Sequence, residues 1–255
     1  MIGTQRKLAD TVLPPVSAAH VAEQRDGSKL YGLLTGSHPT EVDISDDYDF
    51  DRHVLACVLA ASAMDGGQLP ERAGLTSQEL NALLVQYFPS SPFRRCTWRE
   101  QSASAAPDET IMVRDLLLAQ RSTHSEVGGW LATMIARRAM EPNHLWEDLG
   151  LRKRDELSRL LARHFGPLAA RNSKKMRWKR FFYRMLCEDD GLVMCTTPVC
   201  TECNDFDLCF GEESGESRMA GRRRDHLRRL DDSVEKTGLP TKRWTRDCLV
   251  APTAL

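Results

Sequence analysis

Four cysteines, Cys195, Cys200, Cys203 and Cys209, crowd one short stretch in the spacing C-x4-C-x2-C-x5-C. Thiolates are soft ligands that favour iron–sulfur clusters over hard cations. The first three follow the C-x4-C-x2-C run of a plant-type iron–sulfur loop, and the fourth comes close enough for one continuous segment to supply every thiolate. A structural zinc site is the rival reading. Zinc sites commonly present two short C-x2-4-C hooks separated by a longer span, and here only Cys200 and Cys203 make such a hook. A disulfide framework fits poorly, because Met1–Asp10 lacks the apolar core of a secretory signal. The expected compartment is the cytoplasm, where thiols stay reduced.

Other groups near the four thiols are candidate auxiliary ligands: Cys187, just upstream, and the imidazoles of His144 and His164. Each also has an ordinary structural reading, as a helix-terminal thiol or a hydrogen-bonded core histidine. Cys57, Cys96 and Cys248 lie apart and read as structural or incidental thiols. No serine–histidine–acid constellation, phosphate loop or dinucleotide fingerprint is present. Asp189 and Asp190 are adjacent and do not face each other on a helix, so they make no acid–base pair. The expectation is a metal-binding protein rather than an enzyme.

Charge is laid out in two abutting blocks. Arg171, Lys174, Lys175, Arg177, Lys179, Arg180 and Arg184 form a run of seven basic residues with no acid among them. Between Cys187 and Glu216 stand nine acids and no base. The overall net charge of −1 hides this asymmetry. Read functionally, a basic helix Arg171–Arg184 beside a metal loop attracts an anion such as molybdate or steers an acidic partner. Read structurally, it is a solvated face paired with its acidic neighbour, each exposed pair worth about 0–1 kcal/mol. Nucleic acid is disfavoured, because the acids lie next door and no reader motif is present. No run of about 18 apolar residues exists to span a membrane.

The elements that must position these groups read as helices. A chain of 255 residues can bury one sizeable core. From Arg52, residues Val54, Cys57, Val58 and Ala61 recur at helical spacing up to Gly66-Gly67. Thr76 and Glu79 form a capping box ahead of Leu80, Leu83, Leu84, Tyr87 and Phe88. Further helices are expected from Glu109 to Arg121, from Gly129 to the residues before Pro142, and around Leu157–Phe165. A last one spans Met176–Cys187, with Trp178, Phe181, Phe182 and Met185 on one face. No segment alternates with the period of an exposed strand. The fold class is therefore all-α: a loose arm over residues 1–50, a helical domain over 51–187, a four-cysteine metal loop over 188–213 and a polar tail over 214–255.

Taken with its surroundings, the loop resembles the NifQ family of nitrogen-fixation proteins. The resemblance lies in PNHLWEDLGL (Pro142–Leu151), RHFGPLAARN (Arg163–Asn172), MRWKRFFYRMLCE (Met176–Glu188) and MCTTPVCTECNDFDLCFGEE (Met194–Glu213). It extends back to GLTSQELNALLVQYFP at Gly74–Pro89 and so covers roughly residues 50–213. It implies an iron–sulfur protein that carries molybdenum for the iron–molybdenum cofactor of nitrogenase. The partners it implies are the cofactor assembly scaffold, the nitrogenase iron protein and a molybdenum source. A ferredoxin-like electron carrier and a zinc-stabilised interaction protein remain the alternatives from other classes.

Overall fold

The computed structural model describes residues 26–98, 106–189 and 209–210. Among these the fold is entirely helical. In chain order the helices are α1 (Gly27–Thr35), α2 (Asp47–Met64), α3 (Leu69–Ala73), α4 (Ser77–Tyr87), a 3₁₀ turn at Pro92–Arg95, α5 (Asp108–Ala119) and α6 (Glu126–Ala139). They are followed by α7 (Leu145–Asp148), α8 (Arg154–His164), α9 (Gly166–Arg171) and α10 (Trp178–Asp189). Pairings run α1 on α2, α2 on α3, α3 on α6, α5 on α6, α7 on α8 and α10 on α5.

Helix α2 is the centre. Its residues from Val54 to Ala61 are all buried, so it is apolar on every side rather than amphipathic. The Asp43–Asp51 stretch, expected as part of a loose arm, instead starts this helix. Asp46 is its N-cap, with the side chain accepting from the Tyr48 and Asp49 amides, and Asp47 and Asp49 occupy the first turn. Carboxylates there satisfy orphan N–H groups and the positive end of the helix dipole. The arm expectation also fails at α1, where Leu30 and Tyr31 are fully buried against the core. Gly36, left-handed at φ 80°, terminates α1 as a C-cap. The capping box at Thr76 is present as expected: the Glu79 carboxylate accepts from the Thr76 amide at 2.8 Å, and the Thr76 hydroxyl accepts from the Glu79 amide at 3.1 Å.

Two glycines fix how closely loops approach helices. Gly150, at φ 71°, lies so near α2 that a Cβ there would stand 2.7 Å from the Cys57 carbonyl oxygen and 3.0 Å from the Ala61 Cβ. Gly74, at φ 78°, presses on α6, with a Cβ meeting Arg137 at 2.7 Å. Both positions demand the left-handed region and exclude a side chain.

Several charged and polar groups are built into this core in hydrogen-bonded pairs. His53 contacts the Tyr31 hydroxyl through Nδ1 at 2.9 Å and Glu156 through Nε2 at 3.4 Å. Arg163 donates two hydrogen bonds to Asp51, and His164 Nε2 lies 2.8 Å from the same carboxylate. Burial alone would raise the Asp51 carboxyl, but hydrogen bonds and charge from His164 and Arg163 outweigh it and hold the group below its ordinary range. Glu156 behaves alike: burial opposes ionisation, and His53 with Arg152 reverses the balance.

Two outcomes follow for stability. Replacing Gly150 with Ala should cost about 2–4 kcal/mol in urea unfolding, combining left-handed strain with overpacking against α2. Asp51 and Glu156 give up protons more readily in the folded chain than in the unfolded one. Their stabilisation is therefore full above the ordinary carboxylate pKa of about 4 and is lost as pH falls through the lower folded values. Asp51→Asn should lower stability at neutral pH and make the decline below pH about 4 shallower, as followed by circular dichroism across an acid titration.

Candidate metal centre

Helix α10 is the element that carries the cysteine segment. Trp178, Phe181, Phe182 and Met185 are buried on one face, as their spacing predicts. The helix begins two residues later than expected, at Trp178, and runs to Asp189. The preceding basic residues are therefore not one helix: Arg171 closes α9, residues 172–177 turn, and only Lys179, Arg180 and Arg184 ride on α10.

Of the four cysteines, Cys209 lies within the described residues; Cys195, Cys200 and Cys203 lie outside them. Cys209 is buried in the core cluster at 7% exposure. Its carbonyl accepts a 2.8 Å hydrogen bond from the Arg177 amide at the start of α10. That bond satisfies one of the donors a helix N-terminus leaves open. The chain thus departs from the C-terminal end of α10 and is pinned again at its N-terminal end. A helix of 12 residues is about 18 Å long, far less than the intervening residues 190–208 can reach when extended. Both ends of the segment bearing the other three cysteines are fixed on a single helix.

The auxiliary candidates are dispersed. Cys187 is half-buried in the last turn of α10, about 15 Å along the helix from Arg177 and its bond to Cys209. His144 is the N-cap of α7, and its amide donates to Glu147 at 3.0 Å. His164 is 5% exposed and engaged with Asp51. Among the described residues, no cluster of three or more His, Cys, Asp or Glu side chains could hold a metal ion. Cys187, His144 and His164 therefore do not gather around Cys209. Cys57 and Cys96 are buried, and burial pushes both thiols up, which keeps them protonated and poorly reactive.

Lys179 is placed where charge patterning alone does not put it. It turns inward, donating to Asp148 at 2.6 Å and also to the Glu141 carbonyl. Asp148 is fully buried and accepts in addition from Asn143 at 2.9 Å. Beside it, the fully buried Arg138 donates to the Asp148 carbonyl at 2.8 Å and to Asp65 at 2.6 Å. Burial lowers the Lys179 ammonium, with the Asp148 hydrogen bond and charge opposing that shift. This network bolts α10 to α6, α7 and the end of α2. Sequence reading missed it, and the signal was faint: one lysine on the rim of an aromatic stripe, two residues from Arg177.

The remaining basic residues stay at the surface. Arg184 pairs with Glu188 at 2.7 Å, Arg171 approaches the same carboxylate at 3.9 Å, and Lys174 and Lys175 are exposed on the turn. Arg177 and Arg180 are half-exposed at the head of α10.

The sequence model of one family, described as NifQ, matches residues 54–211, from within α2 to just past Cys209. The chain belongs to the NifQ family. It is 42% identical to a protein NifQ homolog of Sinorhizobium fredii over 70% of this chain and 78% of that relative. It is 36% identical to protein NifQ of Rhodobacter capsulatus over 63% of this chain and 87% of the relative. With protein NifQ of Azotobacter vinelandii it shares 40% identity over 56% of this chain and 70% of the relative. No solved structure matches the chain. Membership ties the chain to nitrogen fixation, and the matched span contains all four cysteines, the whole basic block and the Arg138–Asp148–Lys179 network. Among the described residues, no helix is long and apolar enough to cross a membrane.

The inward and outward lysines should respond differently to substitution. Lys179→Ala removes the 2.6 Å partner of a buried carboxylate and should cost about 3–5 kcal/mol. Lys174→Ala, on an exposed turn, should stay within about 0.5 kcal/mol of the parent. Chemical denaturation of the two variants side by side checks this. Equal effects would deny the structural role of Lys179.

Proposed function

We propose that the chain is a molybdenum carrier, holding an iron–sulfur cluster through Cys195, Cys200, Cys203 and Cys209 and supplying molybdenum for the iron–molybdenum cofactor of nitrogenase. The observation that carries this reading is the four-cysteine spacing on a segment tethered at both ends to one helix. The donor set fits the cargo. Thiolates select iron and sulfide over hard cations, and a cluster with bridging sulfides also offers molybdenum soft ligands. The four thiolates come from one contiguous stretch of sequence after α10, so cargo release need not alter the contacts among α1–α10. An electron carrier would instead gain from burial and a fixed potential.

On this reading the protein is no enzyme. It acts by ligation and delivery in the cytoplasm, taking molybdenum from molybdate or another source. The cofactor assembly scaffold and the nitrogenase iron protein are the recipients. Neither nucleic acid nor membrane has a part in it.

Anaerobic purification followed by elemental and acid-labile sulfide analysis tests the proposal. Iron, sulfide and molybdenum are expected together. Zinc alone would replace the reading with a structural site, and iron with sulfide but never molybdenum would favour an electron carrier. Cys203→Ala should lose most of the iron while keeping helical circular dichroism. Cys209→Ala should lose iron and also some stability, because that residue is part of the core.

A further inference from the structure

Beside the end of α10 from which the cysteine segment departs lies an open groove of about 280 Å³. Three cationic side chains line it: Arg171 from α9, Lys174 from the following turn and Arg184 from α10. Its apolar floor is Met176, Phe181 and Met185, each buried. Among the described residues one acid lines the groove, Glu188, and it is held by Arg184 at 2.7 Å with Arg171 at 3.9 Å. Glu188 stands in the last turn of α10, where a carboxylate opposes the negative end of the helix dipole. A negative group is thus kept in an unfavourable place by two guanidinium groups. Its oxygens occupy the position an external anion would take.

The wall carrying Lys174 is built rather than incidental. Asn172 is buried and clasps Met176 twice, donating from Nδ2 to its carbonyl at 2.9 Å and accepting from its amide at 2.8 Å. Arg154, reaching across from α8, donates to the Lys175 carbonyl at 3.0 Å. Between these braces Lys175 is held at φ 55°, the one described non-glycine residue with positive φ. A lysine in that region is strained and persists because its surroundings over-determine it. That conformation sets the path of the turn from which Lys174 lines the groove.

The geometry points to this groove as a binding site for a tetrahedral dianion of the molybdate class, built from residues other than the four cysteines and lying beside the C-terminal end of α10. Two guanidinium groups and an ammonium supply charge-assisted donors on one side. The thioether and aromatic floor offers no hydrogen-bond donors, so recognition of the anion rests on the cationic wall. The incoming anion competes with Glu188 for Arg184 and Arg171. The inference deepens the carrier reading and takes from it only the identity of the anion. The site itself stands on the groove.

Equilibrium dialysis of the full-length Cys200→Ser/Cys203→Ser protein against molybdate at fixed ionic strength, read by elemental analysis, separates the groove from the cluster ligands. Molybdate binding should persist in that variant. Added Arg184→Gln or Lys174→Gln should each weaken it about tenfold, the scale of one lost charge-assisted hydrogen bond. Glu188→Gln should tighten it by removing the competing carboxylate. Arg180→Gln, in the same basic block but outside the groove lining, is the control for diffuse charge and should change affinity less than about twofold. Circular dichroism confirms folding of each. A parallel series with tetrathiomolybdate distinguishes an oxygen-bearing from a sulfur-bearing cargo, and binding of either with this residue pattern upholds the site. No binding of either anion, or equal losses at Arg180, Lys174 and Arg184, overturns it whatever iron the native protein carries. A native protein without iron whose groove variants still lose molybdate would instead sink the carrier reading and leave the groove intact.

Discussion

A lysine–carboxylate pair with its carboxylate wholly buried holds helix α10 in place. Asp148 is wholly withdrawn from water, and Lys179 reaches it from the first turn of α10. Removing two charges from solvent costs several kcal/mol per ion, and attraction recovers this only when the remaining hydrogen-bonding positions are filled. Asn143 donates to the other carboxylate oxygen, and the Glu141 carbonyl takes a second ammonium proton. Arg138 then binds the Asp148 carbonyl and Asp65, carrying the network to the end of the central helix. An apolar contact would tolerate sliding of α10 along its neighbours. A charge buried against one particular carboxylate does not, so the position of the helix that anchors both ends of the cysteine segment is set by that pair.

The same reasoning divides the basic block by role. Charge patterning treats seven cations as equivalent, whereas the chain's path separates them. The break between α9 and α10 turns Arg171 and Lys174 toward Arg184, while the helical period carries Lys179 round to the protein side. One lysine is committed to architecture. Its neighbours stay partly hydrated, at about a third exposed for Arg171 and Arg184, where pairing is weak and readily exchanged. Exchange is the property a capture site needs, and burial would remove it.

Much of the fold is legible in the sequence because apolar periodicity is strong: the faces of α4, α6, α8 and α10 coincide with their spacing, and the Thr76–Glu79 box marks its helix start. What escapes reading has physical causes. Helix α1 hides among Gly27, Gly32 and Gly36, yet Leu30, Tyr31 and Leu34 supply a buried stripe and Gly36 is its cap. The acidic run before α2 looks like a solvated arm because composition does not distinguish an N-cap from a loop; Asp46 and the buried, ion-paired Asp51 belong to the helix. At the site, the thiol spacing is legible and the groove is not. The groove depends on Asn172 folding a turn back on itself and on Glu188 lying across two arginines. Both are contacts between elements that spacing does not encode.

The placement of Cys209 joins these observations. This cysteine is packed into the core, and its carbonyl caps the helix start. The anchor itself is made by the backbone carbonyl, whose bond to the Arg177 amide does not involve the sulfur. The helix that closes the loop is the helix that Lys179 bolts down and whose far end forms the cationic groove. Tethering of the chain, the buried pair and one wall of the cationic groove therefore converge on α10. A change in the seating of that helix would move all three together.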